Sequence, residues 1–142
     1  MIIDNLDQMK KFAKKFAQTL KIGDVVRLKG DLASGKTTFV SFVGEYFSFY
    51  NTSSPSFALV NIYDGDVRIY HLDLYRFENE DEILDIDFER YFYPDDGISF
   101  IERAEKAQSY LPDNMIEIDF KKIDENKREV KIKGGSYENF SY

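Results

Sequence analysis

The feature that most constrains the fold is a short glycine-containing loop set between two apolar segments. The loop reads GDLASGKT and spans Gly30 to Thr37, with VVRL shortly before it and TFVSFV after it. It matches G-x-x-x-x-G-K-[ST] at every position, the pattern of a phosphate-binding loop between a strand and a helix. Glycines let such a loop curl so that its N–H groups point inward and bind an anion. The sequence therefore predicts a strand, a phosphate cradle and a helix, in that order.

The loop also carries the side chains that a bound nucleotide needs. A helix starting near Lys36 would add its N-terminal dipole to the cradle. Lys36 can reach the β- and γ-phosphates and is a candidate catalytic residue, while the hydroxyl of Thr37 can ligate Mg²⁺. We expect Lys36 to pack against nothing until a phosphate is bound. The predicted nucleotide-binding residues are Leu32, Ala33, Ser34, Gly35, Lys36, Thr37 and Thr38.

Two further segments end in a carboxylate that could serve a metal ion or the hydrolysis of a phosphate bond. ISFIE places Glu102 directly after a largely apolar run, and VRIYHLDLYR places Asp73 near the end of a second strand. Alternation in that strand puts His71 on the same face as Asp73. Periodicity alone does not decide which carboxylate serves the metal. We interpret His71 as a residue that packs beside Asp73 and positions it, in preference to a general base.

The remaining periodicities predict one α/β domain over residues 1–135 and a frayed tail over 136–142. The dipeptide Asp64-Gly65 predicts a β-hairpin. A first helix should begin with Asn5 or Asp7 as its N-cap and end at Gly23. Further helices are predicted at 37–47 and 78–84, and strands at 25–28, 57–63, 67–74, 98–101, 115–123 and 129–133. The predicted fold is a P-loop NTPase-type mixed sheet with flanking helices and one antiparallel side.

Composition limits the classes of function. The chain has 142 residues, no cysteine and a formal net charge of −7, which excludes disulfides and thiolate metal sites. The negative charge argues against binding RNA or DNA unaided, because neutralised phosphates supply most of that affinity. The start of the chain lacks the pattern of a signal peptide, and no apolar run approaches the roughly 18 residues of a membrane span. We therefore expect a soluble cytoplasmic protein.

Several segments taken together resemble one family. The order GDLASGKTTF, SSPSFALVNIY, YHLDLYR, FIERAE and LPDN is similar to that of the bacterial TsaE proteins. These are P-loop ATPases required for making threonylcarbamoyladenosine in tRNA. The likeness runs from the first helix to the C-terminal hairpin, so it covers nearly the whole chain. The combination of the loop with S-P-[ST]-[FY] and H-x-D-x-Y-R is much more specific than the loop alone.

The resemblance implies roles for particular residues. Residues 32–37 would hold the phosphates of ATP, Thr37 and Glu102 would contact Mg²⁺, and Asp73 would be needed for hydrolysis. Residues 54–56 (Ser-Pro-Ser) would form a switch-like element, and the N-terminal helix region would lie near the adenine. The chain departs from the family at Arg103, where the family has a tryptophan. It also has Ala-Ser before the second loop glycine, and a serine at position 56 where the family has threonine.

The resemblance also implies partners, namely the TsaD and TsaB proteins, with tRNA reached only through that complex. The chain alone would be a monomer or weak oligomer with a slow ATPase activity. Two other functions stay open on the residues alone. One is a small-molecule kinase, although no arginine-rich lid follows the loop helix. The other is a nucleotide-dependent assembly module with negligible hydrolysis. A GTPase is disfavoured because the sequence contains no D-x-x-G.

Overall fold

The protein is built as a mixed β-sheet with helices packed on both of its faces. The computed structural model describes residues 1–31, 33–53 and 59–135. In this part of the chain the strands are β1 (Ile2–Ile3), β2 (Val25–Lys29), β3 (Val60–Asp64), β4 (Arg68–Asp73), β5 (Gly97–Glu102), β6 (Ile116–Lys122) and β7 (Arg128–Lys133). The helices are α1 (Leu6–Thr19), α2 (Lys36–Tyr46) and α3 (Phe88–Phe92), with 3-10 segments at Glu80–Asp85 and Ala104–Tyr110.

The described strands form one sheet in the order β1-β7-β6-β2-β5-β4-β3. Its centre is parallel, because β2 pairs with β5 and β6, and β5 also pairs with β4, all in the same direction. The pairs β3–β4, β6–β7 and β1–β7 are antiparallel. The sequence predicted one antiparallel side, whereas the structure has antiparallel pairs at both edges. The carboxyl ends of β2, β4 and β5 meet at one edge of the sheet, the position where open α/β sheets bind ligands.

The first core lies between one face of the sheet and helices α1 and α2. Its centre is Phe39 of α2, which is fully buried. The Phe39 ring lies with its centroid 5.3 to 6.4 Å from those of Phe12, Phe16, Phe100 and Phe120. These rings come from α1, β5 and β6, so α2 is held against three elements at once. Because α2 begins at Lys36, this packing fixes the position of the end of the loop before it.

The second core lies on the opposite face of the sheet, under α3 and the two 3-10 segments. Tyr70 and Leu72 of β4 are fully buried there, together with Ile101 of β5. Their neighbours in the chain on the other face include Ile69 and Phe100, which belong to the first core. Strands β4 and β5 are therefore buried on both faces, as central parallel strands usually are.

Most predicted elements are present, with shifted ends. Asn5 is the N-cap of α1, since its side chain accepts a hydrogen bond of 2.9 Å from the Gln8 amide. The helix ends at Thr19 and not at Gly23, because Leu20 is already extended and the glycine, with φ of 101°, lies in the turn before β2. The acidic segment predicted at 78–84 is a 3-10 helix. The sequence did not predict β1, α3 or the segment Ala104–Tyr110.

Candidate functional site

The predicted phosphate loop lies at the carboxyl edge of the sheet, between β2 and α2. Three of its residues have positive φ: Gly30 at 137°, Ala33 at 63° and Gly35 at 111°. A Cβ atom at Gly30 would lie 2.5 Å from the carbonyl oxygen of Phe120, which is far closer than atoms can approach. Glycine is therefore required where the loop leaves the strand, both for its conformation and for its contact with β6.

Lys36, the first residue of α2, is buried in this structure. Its Nζ donates a hydrogen bond of 2.5 Å to the carbonyl oxygen of Gly30 and lies 3.5 Å from Oε1 of Glu102. The expectation that Lys36 packs against nothing without phosphate is therefore wrong. The ammonium group cannot stay unpaired at a buried position, so it takes the nearest carbonyl and carboxylate oxygens.

Glu102, the last residue of β5, is held from both sides. Its Oε2 lies 2.7 Å from Nε2 of His71, and Nδ1 of the same ring lies 3.1 Å from the hydroxyl of Tyr63. Burial by itself raises the pKa of the Glu102 carboxyl, but the hydrogen bond with His71 and the charge of Lys36 outweigh it. The pKa of Glu102 consequently lies below its ordinary value, and the group is a carboxylate at neutral pH.

These contacts correct the interpretation of His71. The sequence placed it beside Asp73 as the residue that positions that carboxylate. In the structure the two ring nitrogens contact Glu102 and Tyr63, so His71 positions Glu102. The reason is the register of the parallel pair, in which β5 brings Glu102 alongside the end of β4. A periodicity within one strand cannot reveal a partner on the neighbouring strand.

Asp73, the last residue of β4, has its own partners. Its Oδ2 accepts a hydrogen bond of 2.6 Å from Nη1 of Arg103, and its Oδ1 accepts one of 3.1 Å from the amide of Tyr75. The hydrogen bond from Asp73 raises the pKa of the Arg103 guanidinium, against the effect of burial. Asp73 is thus a buried carboxylate that is paired with an arginine on the rim of the same region.

Arg128, at the start of β7, is a residue of this region that the sequence analysis missed. Its Nε donates a hydrogen bond of 2.9 Å to the carbonyl of Ser34, and Nη2 donates one of 3.3 Å to that of Ala33. Its Nη1 donates to main-chain carbonyls of the β6–β7 turn, at Asp124, Glu125 and Lys127. Arg128 therefore ties the phosphate loop to the far hairpin. No local pattern signals this, because loop and arginine are more than 90 residues apart.

The predicted site residues converge on one cavity of about 450 Å³ at this edge of the sheet. Its lining includes both carboxylates, Asp73 and Glu102, although the sequence could not show that they meet. Ser34 is buried beside the cavity without lining it. Leu32 and the segment 54–56 lie outside the described residues. The lining consists of Ala33, Gly35, Lys36, Thr37, Thr38, Asp73, Tyr75, Glu102, Arg103 and Arg128.

The residues present fit a nucleotide with a magnesium ion. The buried hydroxyl oxygen of Ser34 has no hydrogen-bond partner among the described residues, which leaves a polar atom in the loop for a ligand. Thr37 and Glu102 offer hard oxygen donors on two sides of the cavity, the ligand type that Mg²⁺ prefers. The described residues hold no cluster of three or more His, Cys, Asp or Glu that could bind a metal by itself. A magnesium ion that keeps waters and phosphate oxygens needs only one or two protein ligands.

The fold and this site define an α/β protein of the P-loop NTPase type, with its glycine loop between β2 and α2 at the carboxyl edge of a mixed sheet. The chain belongs to the TsaE family. A family model described as "Threonylcarbamoyl adenosine biosynthesis protein TsaE" matches residues 3–130. The resemblance seen in the sequence is thereby confirmed.

Curated relatives are similar over most of the chain. A protein of Rickettsia typhi named "tRNA threonylcarbamoyladenosine biosynthesis protein TsaE" is 40% identical over 129 residues, covering 89% of this chain and 88% of that protein. A Bacillus subtilis protein of the same name is 36% identical over 128 residues, covering 89% and 79%. The crystal structure of Bacillus subtilis YdiB matches with a TM-score of 0.79 and 28% identity, covering 97% of this chain and 86% of that one. This structural match supports the same fold.

The helices of the described part are short. Among them, none combines the length and the apolar character that crossing a membrane requires. The longest, α1, has 14 residues and carries lysines along one side.

Proposed function

We propose that this protein binds ATP with Mg²⁺ and hydrolyses it in support of the N6-threonylcarbamoyladenosine modification of tRNA. The observation that carries the proposal is the meeting of Lys36, Thr37, Asp73 and Glu102 in one cavity beside the glycine loop. A lysine, a hydroxyl and strand-end carboxylates around curled main chain are the components with which P-loop proteins handle phosphates.

The loop would hold the phosphates of ATP through its main-chain N–H groups, from Leu32 to Thr38. Lys36 would leave the carbonyl of Gly30 and pair with phosphate oxygens, which offer a stronger charge-assisted contact. Thr37 and Glu102 would hold the magnesium ion. The bound ion supplies positive charge that neutralises the phosphates.

Asp73 is the candidate for a role in hydrolysis. It lies at the end of β4, directly opposite Glu102 in the register of the parallel pair, and its carboxylate is available on the cavity wall. A carboxylate in that place can orient a water or accept its proton. Asp73 is at present paired with Arg103, and the balance between these two groups would set how basic the carboxylate is.

Family membership supports the tRNA modification pathway, and the size and charge of the chain support a partner-dependent role. One cavity and a formal net charge of −7 in 142 residues leave little surface for holding tRNA unaided. The proposed partners are TsaD and TsaB in the cytoplasm, with the transfer of the threonylcarbamoyl group taking place on the partner. tRNA would then meet this chain only within the complex.

The two carboxylates can be separated by conservative substitutions. Glu102→Gln keeps the shape of the side chain and removes its charge, so the Mg²⁺ concentration needed for half-maximal ATP binding should rise about tenfold. Asp73→Asn should leave ATP binding nearly unchanged and lower the turnover number about a hundredfold, as expected of a residue acting chiefly in the transition state. Titrations of Mg²⁺ against bound nucleotide and steady-state ATPase assays measure the two effects.

The matched control is Glu105→Gln, which removes an exposed carboxylate three residues after Glu102. It should behave as the wild type in both assays. If Asp73→Asn shows the metal defect and Glu102→Gln does not, the two assigned roles are exchanged. If neither variant differs from the control, the cavity is not the ATPase site.

The central test of the proposed function compares the chain alone with the chain plus purified TsaD and TsaB. We expect slow ATP hydrolysis by the isolated chain, a clear increase with both partners, and an affinity for the partners that differs between ATP and ADP. A filter-binding assay should show no tight binding of tRNA to the isolated chain. Tight tRNA binding together with no affinity for the partners would contradict the proposal. Phosphorylation of a small-molecule acceptor would favour a kinase.

A further inference from the structure

Arg103 has an unusual backbone conformation directly beside the candidate metal ligand. With φ of 54° and ψ of 43°, it lies in the left-handed region, which costs a residue with a side chain about 1 to 2 kcal/mol. Glycine would adopt this conformation without strain, yet the position carries the largest cationic side chain. Strained residues of this kind cluster at functional sites. The turn directs the chain away after Glu102 and leaves the Arg103 side chain on the cavity wall.

The cavity has three cationic side chains, and they are engaged to different degrees. Arg128 uses Nε, Nη1 and Nη2 on main-chain carbonyls of the loop and the hairpin turn. Lys36 contacts Gly30 and Glu102. Arg103 makes one side-chain hydrogen bond within the described residues, from Nη1 to Asp73, and its side chain is 38% exposed. The guanidinium of Arg103 therefore presents further N–H donors to the cavity.

We propose that Arg103 binds the terminal phosphate of ATP and so lets this protein distinguish ATP from ADP. The inference rests on the proposed function. In P-loop proteins the loop amides and lysine hold the inner phosphates, and the metal bridges the β- and γ-phosphates. Arg103 follows the candidate metal ligand Glu102 directly and sits with Asp73 at the strand ends. The planar fork of an arginine matches phosphate oxygens better than the point charge of a lysine does.

Asp73 fits this role as the positioning partner of Arg103. Its second oxygen is fixed by the amide of Tyr75, so the carboxylate presents Oδ2 to Arg103 in a defined direction. One edge of the guanidinium can stay on Asp73 while another edge faces a phosphate, because an arginine carries five N–H donors. The cation is thus held ready at the cavity, at little entropic cost on binding.

The test is calorimetric titration of ADP and of a non-hydrolysable ATP analogue, both with Mg²⁺, into wild type and variants. Arg103→Ala should weaken binding of the triphosphate about tenfold or more and leave ADP binding within about twofold. Arg103→Lys should recover part of the loss, because it keeps the charge and loses the fork. The matched control is Lys106→Ala, which removes an exposed cation three residues further on and should change neither affinity.

A second comparison separates a direct contact from an effect through Asp73. Removing Arg103 leaves the Asp73 carboxylate unpaired, and its charge alone could repel the extra phosphate. In the background of Asp73→Asn that repulsion is absent. The triphosphate-specific loss caused by Arg103→Ala should persist there if Arg103 itself binds the phosphate. Disappearance of the loss in this background would overturn the inference.

The remaining outcomes are distinct. Equal losses for ADP and the triphosphate analogue, or no loss for either, in a folded Arg103→Ala protein would overturn the role of Arg103 and leave the proposed function standing. A wild type that binds neither nucleotide would overturn both. Far-ultraviolet circular dichroism shows whether each variant is folded, and Arg103→Lys serves as the second variant if Arg103→Ala is not.

Discussion

Replacing Lys36 with alanine is expected to weaken ATP binding by about ten- to a hundredfold. The ammonium group would make charge-assisted contacts with phosphate oxygens in a buried setting, and such contacts are worth roughly 1.5 to 3 kcal/mol. ADP should lose affinity as well, because the lysine reaches the β-phosphate. Isothermal titration calorimetry with both nucleotides measures the effect. The control is Lys29→Ala, an exposed cation at the end of β2 that lies outside the cavity lining.

The same substitution should also lower stability, which the sequence did not suggest. Lys36 is buried and lies 3.5 Å from the Glu102 carboxylate, so its removal leaves Glu102 with less compensation. The cost should be about 1 to 3 kcal/mol in the free energy of unfolding. Titrations must therefore be done well below the melting temperature. Unchanged nucleotide affinity in a folded Lys36→Ala protein would exclude the glycine loop as the phosphate site.

Replacing Phe39 with alanine is expected to cost about 3 to 5 kcal/mol of stability. Its ring is fully buried and contacts four other aromatic rings from α1, β5 and β6, so little can move in to fill the cavity. Domains of this size are stable by only about 5 to 15 kcal/mol, and the variant should unfold at much lower urea concentration. Tyr50→Ala, at a position 71% exposed, should change stability by less than about 0.5 kcal/mol. A loss under about 1 kcal/mol for Phe39→Ala would show that the first core can repack around α2.

The parts of the fold that the sequence predicted well are those with a strong local signal. The loop pattern fixes the junction of β2 and α2, because its glycines and lysine allow few other structures. Asp64-Gly65 lies at the turn between β3 and β4, since the alternating segments on either side can only pair back on each other. These features depend on residues within about ten positions of one another.

The missing elements lack such a signal and depend on distant partners. Strand β1 has two residues, too few for any periodicity, and it exists because Ile2 and Ile3 pair with β7 at the other end of the chain. The 3-10 segment Ala104–Tyr110 is held partly by Ser109, whose amide and hydroxyl both donate to the Glu80 carboxylate. Neither contact can be inferred from the neighbouring sequence.

The same limit applies to the site. The sequence predicted Lys36, Thr37, Asp73 and Glu102 as functional residues, and the structure brings all four to one cavity. That Asp73 lies opposite Glu102 follows from the pairing of β4 with β5, which no pattern in either strand reveals. The assigned roles in metal binding and hydrolysis stay predictions, to be decided by the substitutions above.

The chain of contacts behind Glu102 can also be counted in protons. Tyr63 has one hydroxyl proton and donates it to the carbonyl of Ser53, so its contact with His71 needs a proton from Nδ1 of the ring. The contact at Nε2 needs a second proton, unless Glu102 carries it. Because the pKa of Glu102 is lowered, this proton lies on the ring, and the imidazole is a cation beside a carboxylate. Glu102 would therefore keep a neutralising partner of its own when Lys36 turns to a phosphate, and that movement would leave no buried charge unbalanced.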